Sequence, residues 1–223
     1  MYFSDWLSNN YIEIFGAVTG ILYVIFEIRQ NLWLWPVGII TSAVYIWIFF
    51  TGKLYADMSL QGYYLVISIL GWYWWIKGSG FRVQGTRQED LKNNSPLEGG
   101  QGDVNHTSKP ESLTVTKIKL KTGIVLAIVF LVLYFIMWFA LDKLTDSPVP
   151  EWDSFITSLS IIATWMLARK IYEHWFLWIV INIAASILFF IRALYPTVIL
   201  YIVYCAMSFV GLIEWKKSLI KNP

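Results

Sequence analysis

The chain has 223 residues, of which 57% are apolar and 14% charged, and its mean hydropathy is +0.55. Soluble domains carry roughly a quarter charged residues, so this composition excludes an ordinary water-facing enzyme and a disordered chain. The net charge of +2 gives no reason to expect a nucleic-acid partner. One cysteine and two histidines exclude a disulfide framework, and we expect no metal and no cofactor. The composition predicts a protein that crosses the lipid bilayer several times.

Seven segments are apolar enough to cross a bilayer core, which is about 30 Å thick and needs about 20 residues per helix. In chain order they are 11–28, 33–51, 57–76, 122–141, 153–168, 175–194 and 197–215. The fifth is the least apolar, which favours a wall that faces protein. The long connection 77–120 is rich in Gly, Asn, Gln, Ser and charge, which predicts a disordered loop.

The sequence contains an internal repeat. Residues 54–77 align without a gap on 194–217, with identities that include Gly71/Gly211 and Trp75/Trp215. Farther upstream the best match shifts by three residues, so that it places Trp35 opposite Trp178. Segments one to three therefore resemble segments five to seven, and segment four connects them.

The repeat predicts the architecture. Four spans separate corresponding helices, so both halves point the same way across the membrane, as in transporters that hold substrate between parallel repeats. We expect an all-α polytopic membrane protein with seven transmembrane helices in a 3+1+3 arrangement. Its parts are a first three-helix repeat at 11–76, a loop at 77–120, a linker helix at 121–143 and a second repeat at 152–217. A structural duplication without a pathway is the alternative.

Polar and aromatic side chains recur on single helical faces at membrane depth. A buried amide costs several kcal/mol unless it is hydrogen-bonded, so Gln61 and Asn182 should face the interior of the bundle. They could contact a ligand or join helices to one another. The candidate substrate-binding residues are Trp35, Thr41, Gln61, Tyr64, Ser68, Trp165, Trp178, Asn182, Tyr201, Tyr204 and Ser208.

Aromatic faces with amides and hydroxyls suit a flat, polar ring that can be cationic. The acidic residues, Glu27 among them, lie near predicted helix ends, and His174 lies near an interface. Because no buried ionisable relay is evident, we expect a facilitative pathway rather than proton or sodium coupling. Walker-type phosphate loops and a catalytic constellation are both lacking in the sequence, so we do not expect an enzyme.

Basic residues predict the orientation. Three Lys and Arg residues lie on the side that holds the N-terminus, and fourteen lie on the opposite side. Since basic residues collect in the cytoplasm, the N-terminus should be periplasmic, and the C-terminus and the loop 77–120 cytoplasmic.

The chain resembles the PnuC family of vitamin transporters. The resemblance rests on Leu54-Tyr55-Ala56 with Gln61, on Gly71-Trp72-Tyr73-Trp74-Trp75, and on Trp178 with Asn182 in the second half. It implies a fold similar to the SWEET sugar transporters and a place in the bacterial inner membrane. It also implies facilitated import of nicotinamide riboside for NAD biosynthesis, driven by intracellular phosphorylation of the substrate.

The resemblance leaves alternatives open. Thiamine is the alternative substrate, because related members of the family carry it and one or two cavity side chains would decide between the two vitamins. Homotrimers occur in the family, so a homotrimer is the assembly that the resemblance suggests.

Overall fold

The computed structural model describes residues 11–51, 55–77, 113–145 and 148–221. Within these ranges the chain forms seven helices and an isolated β-bridge. The helices are α1 Tyr11–Ile28, α2 Leu34–Thr51, α3 Tyr55–Lys77, α4 Leu120–Leu144, α5 Pro150–Ala168, α6 His174–Ile191 and α7 Tyr195–Lys221. Each corresponds to one predicted segment, which confirms the all-helical fold. Most of the predicted loop 77–120 lies outside the described residues.

Four of the seven helices, α2, α4, α6 and α7, are long and apolar enough by themselves to span a membrane. Helices α3 and α5 are less apolar because they carry polar residues that face protein. In α5, the buried residues include Ser154, Ser158, Ser160 and Thr164. Three of these hydroxyls donate to the backbone carbonyl four residues earlier, at 2.5 to 2.8 Å. These local bonds satisfy the three hydroxyls at little cost, so α5 can pack its polar residues against neighbouring helices.

The two repeats pack with matching topology. In the first repeat α2 packs against α1 and α3, and in the second α6 packs against α5 and α7. Between the repeats α1 packs on α7, and the corresponding contact joins α5 to α3. This exchange of partners is what a two-fold axis between parallel repeats requires, because each contact recurs with the repeats swapped.

The backbone shows that the two repeats keep a constant offset of 140 residues. The turn after α1 has a left-handed residue at Gln30 (φ 50°), and the turn after α5 has one at Lys170 (φ 51°). A Cβ built on Gly71 would collide with the Trp35 ring, and one built on Gly211 would collide with the Trp175 ring. Trp35 therefore corresponds to Trp175. The three-residue shift that matched it to Trp178 was wrong.

The linker helix α4 packs against α5 and has no buried residue in its apolar span. The stretch before it, which the sequence assigned to the loop, is held by the turn between α5 and α6. Thr116 forms a parallel bridge with Ile171, and the Ile118 amide donates to the Glu173 carboxylate at 2.9 Å. The chain thus enters α4 from a fixed position beside the second repeat.

The contact between Trp35 and Gly71 predicts a stability effect. We expect Gly71→Ala to lower the free energy of unfolding by about 1–3 kcal/mol, because the new methyl group forces the indole out of place. Thermal unfolding of the purified chain in detergent measures this loss. Gly62→Ala is the matched control, since it lies on the same helix and its Cβ would meet no atom within 4 Å. Equal melting temperatures for the two variants would contradict the expectation.

Candidate functional site

A cavity of about 270 Å³ lies between the two repeats. Its wall comes mostly from α1, α2, α3, α6 and α7, and α5 contributes Thr164 alone. Nine of the predicted site residues line it: Thr41, Gln61, Tyr64, Ser68, Trp178, Asn182, Tyr201, Tyr204 and Ser208. The polar faces that the sequence predicted on separate helices therefore meet around one space, of a size suited to a small ligand.

Some polar groups of the cavity wall form hydrogen bonds within the protein, and others do not. The Asn182 amide donates to Ser208 Oγ at 3.1 Å, and Ser208 Oγ in turn donates to the Tyr204 carbonyl at 2.8 Å. No hydrogen bond to the Gln61 side chain occurs within the described part of the chain. Thr41 Oγ1 and Trp178 Nε1 are buried without a hydrogen-bond partner there. Buried polar groups are normally bonded, so these atoms are available to a ligand.

Aromatic rings cover much of the remaining wall. Tyr201 meets Tyr204 edge to face, with ring centroids 5.8 Å apart, and stacks on Phe189 at 5.2 Å. Tyr64 stands across from them on α3, and Trp178 projects from α6. Their quadrupoles present negative ring faces, which attract flat and positively charged groups.

An acidic side chain also lines the cavity, contrary to the sequence-based expectation that none would be buried. Glu27 is 2% exposed, and its Oε1 forms a hydrogen bond with His174 Nε2 at 3.1 Å. His174 is fully buried, and its Nδ1 lies 2.6 Å from the Ile171 carbonyl. The Trp215 indole donates to the Glu27 carbonyl at 3.0 Å. Both residues lie near helix ends, as predicted, but packing of the two repeats buries those ends.

A tryptophan cluster lies between the cavity and the end of the bundle that carries the 77–120 connection. It consists of Trp35, Trp75, Trp175 and Trp215, all at most 3% exposed. Trp75 lies 5.3 Å from Trp35 and 6.4 Å from Trp215, so the cluster joins the two repeats. Lys170 Nζ lies 4.2 Å from the Trp75 centroid, and burial lowers the pKa of Lys170 to about 8. The cluster fills this end of the bundle with packed side chains, and Trp175 also contributes to the cavity wall.

Two predicted site residues lie outside the cavity wall. Trp35 belongs to the tryptophan cluster, where its ring fills the space above Gly71. Trp165 lies in a groove between α4 and α5 and near the Arg169 guanidinium, 5.9 Å from its ring centroid. Both are tryptophans at membrane depth, and sequence alone does not distinguish a cavity wall from a packed interface.

Sequence reasoning did not include the face of α1 in the site. Gly16, Gly20, Tyr23 and Glu27 recur every three or four residues and all line the cavity. A Cβ on Gly16 would collide with the Tyr45 hydroxyl, and one on Gly20 with the Tyr204 hydroxyl from the other repeat. Gly16 therefore allows close packing within one repeat, whereas Gly20 allows it across the two repeats. The sequence did contain a signal for this face, because these four residues recur with a helical period and the last of them is acidic.

The described residues contain no group of three His, Cys, Asp or Glu side chains that could hold a metal ion. The polar groups of the wall are amides, hydroxyls, indoles and one carboxyl group, which together can bind and orient a ligand.

Comparison with known proteins gives a consistent result. The family model for nicotinamide mononucleotide transporters matches residues 10–217. The nicotinamide riboside transporter PnuC of Escherichia coli (strain K12) is 27% identical over 222 residues, which cover 94% of this chain and 86% of that protein. PnuC of Neisseria mucosa is also 27% identical, over 96% of this chain and 73% of its own length.

Other relatives differ in their named substrate. The riboflavin/roseoflavin transporter RibM of Streptomyces davaonensis is 23% identical over 95% of this chain and 92% of its own length. A crystal structure of the vitamin B3 transporter PnuC superposes with a TM-score of 0.66 at 22% identity, covering 97% of this chain and 85% of that one. At that identity the structural match establishes the fold, which agrees with the 3+1+3 arrangement of helices.

Proposed function

We propose, from the premise that this chain belongs to the nicotinamide mononucleotide transporter family, that it carries nicotinamide riboside across a bacterial inner membrane. The observation that carries the proposal is the cavity between the two repeats, whose wall combines aromatic rings with unpaired polar groups. Relatives named as nicotinamide riboside transporters support this substrate. Thiamine is the second candidate, because its cationic ring would meet the same aromatic wall.

In the proposed mechanism the protein is a facilitative carrier and not an enzyme. The riboside enters the cavity between the repeats, and rocking of one repeat against the other exposes it to the opposite side. A cytoplasmic kinase then phosphorylates it, and the product, which carries an added anionic phosphate group, no longer leaves. The buried pair of Glu27 and His174 is an isolated pair within the part of the chain that the structure describes, and not a relay of ionisable groups of the kind that coupled carriers use.

Uptake measurements test the substrate and the mechanism together. Cells that express the chain and a riboside kinase should accumulate label from nicotinamide riboside, and cells without the kinase should not. In vesicles with no membrane potential, an imposed proton gradient should not concentrate the unmodified riboside. Concentration of the riboside above the outside level in such vesicles would contradict the uncoupled mechanism. Preferential binding of thiamine would make thiamine, and not nicotinamide riboside, the proposed substrate.

The two amides should respond differently to substitution. We expect Gln61→Ala to weaken binding of nicotinamide riboside about tenfold, the equivalent of one hydrogen bond, without lowering the melting temperature. Asn182→Ala should weaken binding and also lower the melting temperature, because Asn182 donates to Ser208 in the empty protein. Isothermal titration and thermal unfolding of the same preparations measure both effects.

Asn31→Ala is the control for the amide variants, since its side chain bonds the Trp33 amide in an exposed turn outside the cavity. It should bind the riboside with wild-type affinity. Wild-type affinity in Gln61→Ala and Asn182→Ala would remove both amides from the proposed binding site and leave the tyrosine and serine faces of α3 and α7.

The orientation follows from the charge asymmetry of the sequence. A reporter fused after Pro223 should report a cytoplasmic location, and one fused before Met1 a periplasmic location. A cysteine introduced in the connection 77–120 of a Cys205→Ser chain should be protected from thiol reagents that do not cross the membrane. Labelling from outside would reverse the proposed orientation. Homotrimeric assembly also stays a prediction, which the mass of the purified protein in detergent would check.

A further inference from the structure

The cavity wall carries almost no formal charge, and the transport mechanism proposed above gives no role to its one acidic residue. Of the described residues that line it, Glu27 is the only one with an ionisable carboxyl or a basic group. Its side chain lies within interaction distance of the Trp178 indole. Tyr23, one turn earlier on α1, and Tyr64 on α3 lie on the same side of the cavity.

Hydrogen-bond geometry fixes how many protons the pair of Glu27 and His174 holds. The Ile171 carbonyl can only accept, so His174 Nδ1 must carry a proton. The contact between Nε2 and Glu27 Oε1 then holds a second proton. With that proton on Nε2, the pair is an imidazolium beside a carboxylate. It is neutral overall, and the carboxylate belongs to the cavity wall.

The internal repeat shows that the fold does not need this pair. At the offset of 140 residues, Glu27 corresponds to Leu167 and His174 corresponds to Leu34. Both leucines are fully buried and belong to one apolar cluster. The same backbone contact is therefore built once from leucines and once from ionisable groups. Because a buried ion pair is often less stabilising than apolar packing, its presence points to a role in the cavity.

We propose that Glu27 makes the cavity select a positively charged aromatic ring over a neutral ring of the same shape, while His174 holds the compensating proton. The inference rests on the proposed function and names the class of ring that the site accepts. It separates cationic ligands, such as a pyridinium or a thiazolium, from neutral ones such as a flavin.

The arrangement of charges explains the selection. A cationic ring next to the carboxylate gains a direct attraction in a space that excludes water, and the tyrosine and tryptophan faces add cation–π contact. The cation also favours the arrangement in which His174 Nε2 holds the shared proton, so the carboxylate stays charged and no proton leaves the pair. Binding should therefore neither take up nor release a proton.

Titration with two ligands of nearly equal shape tests the selection. The probes are nicotinamide riboside, whose pyridinium ring is cationic, and its 1,4-dihydro form, whose ring is neutral. The full chain in detergent should bind the cation at least about tenfold more tightly, as expected for one charge-assisted contact. Glu27→Gln should reduce this ratio to near one. Glu214→Gln, which neutralises an exposed carboxylate paired with Lys217, should leave the ratio unchanged.

A second variant separates selection from a structural role. His174→Gln breaks the same pair but keeps the Glu27 carboxyl group, which should then take up a proton in the empty cavity and release it when the cation binds. This variant should therefore keep a preference for the cation, and its binding enthalpy should vary between buffers of different ionisation enthalpy. If the pair only held the helices together, both single variants would change the ratio alike. The double variant Glu27→Leu with His174→Leu copies the leucine contact of the other repeat, so it should fold and show no preference for charge.

Three results would overturn the inference while leaving the proposed transport of nicotinamide riboside intact. They are equal affinity of the wild-type chain for both probes, an unchanged ratio in Glu27→Gln, and a wild-type binding enthalpy that varies between buffers of different ionisation enthalpy. Failure of the wild-type chain to bind either probe would contradict the proposed function and the inference together.

Discussion

The contact of a tryptophan with a glycine backbone, made once in each repeat, determines where the cavity lies. Trp35 rests on Gly71 and Trp175 on Gly211, because only a glycine leaves room for an indole against the helix. These rings meet Trp75 and Trp215 where the two repeats join, and they fill that end of the bundle with side chains. Farther along the same helices the aromatic packing gives way to amides and hydroxyls. The binding space begins where the tryptophan cluster ends.

Much of this arrangement could be predicted from the sequence, since it depends on period and repetition. Shared Gly, Trp and Tyr positions revealed the duplication, and helical spacing placed Gln61, Tyr64 and Ser68 on one face. Trp35 was assigned to the site as an aromatic residue of a predicted membrane span, and sequence alone does not show whether such a ring lines a cavity or fills a packed interface. Glu27 was missed for a different reason. A carboxylate near a helix end is usually solvated, and only packing of the opposite repeat buries it.

The two halves share a backbone plan but differ in the side chains that they present to the cavity. At corresponding positions Gln61 faces Tyr201, and Gly38 stands where the second repeat has Trp178. A symmetric wall would hold an asymmetric ligand in two equivalent orientations. The differences between the two repeats remove that equivalence. The duplication therefore provides two similar repeats that can move against each other, and their different side chains allow the cavity to recognise one orientation of the ligand. The pair of Glu27 and His174 is another such difference between the repeats, because leucines occupy the corresponding positions.

Selection by charge and the proposed uncoupled mechanism are compatible because the compensating proton stays within the pair. A lone buried carboxylate would be costly in an empty cavity and would bind a proton from one side of the membrane. If that proton were released on the side of the membrane from which the ligand binds, each transport event would be coupled to the proton gradient. With His174 beside it, the carboxyl group is already neutralised by a proton that moves only between Oε1 and Nε2. The pair then determines which ligand enters the cavity, and phosphorylation inside the cell determines where the ligand accumulates.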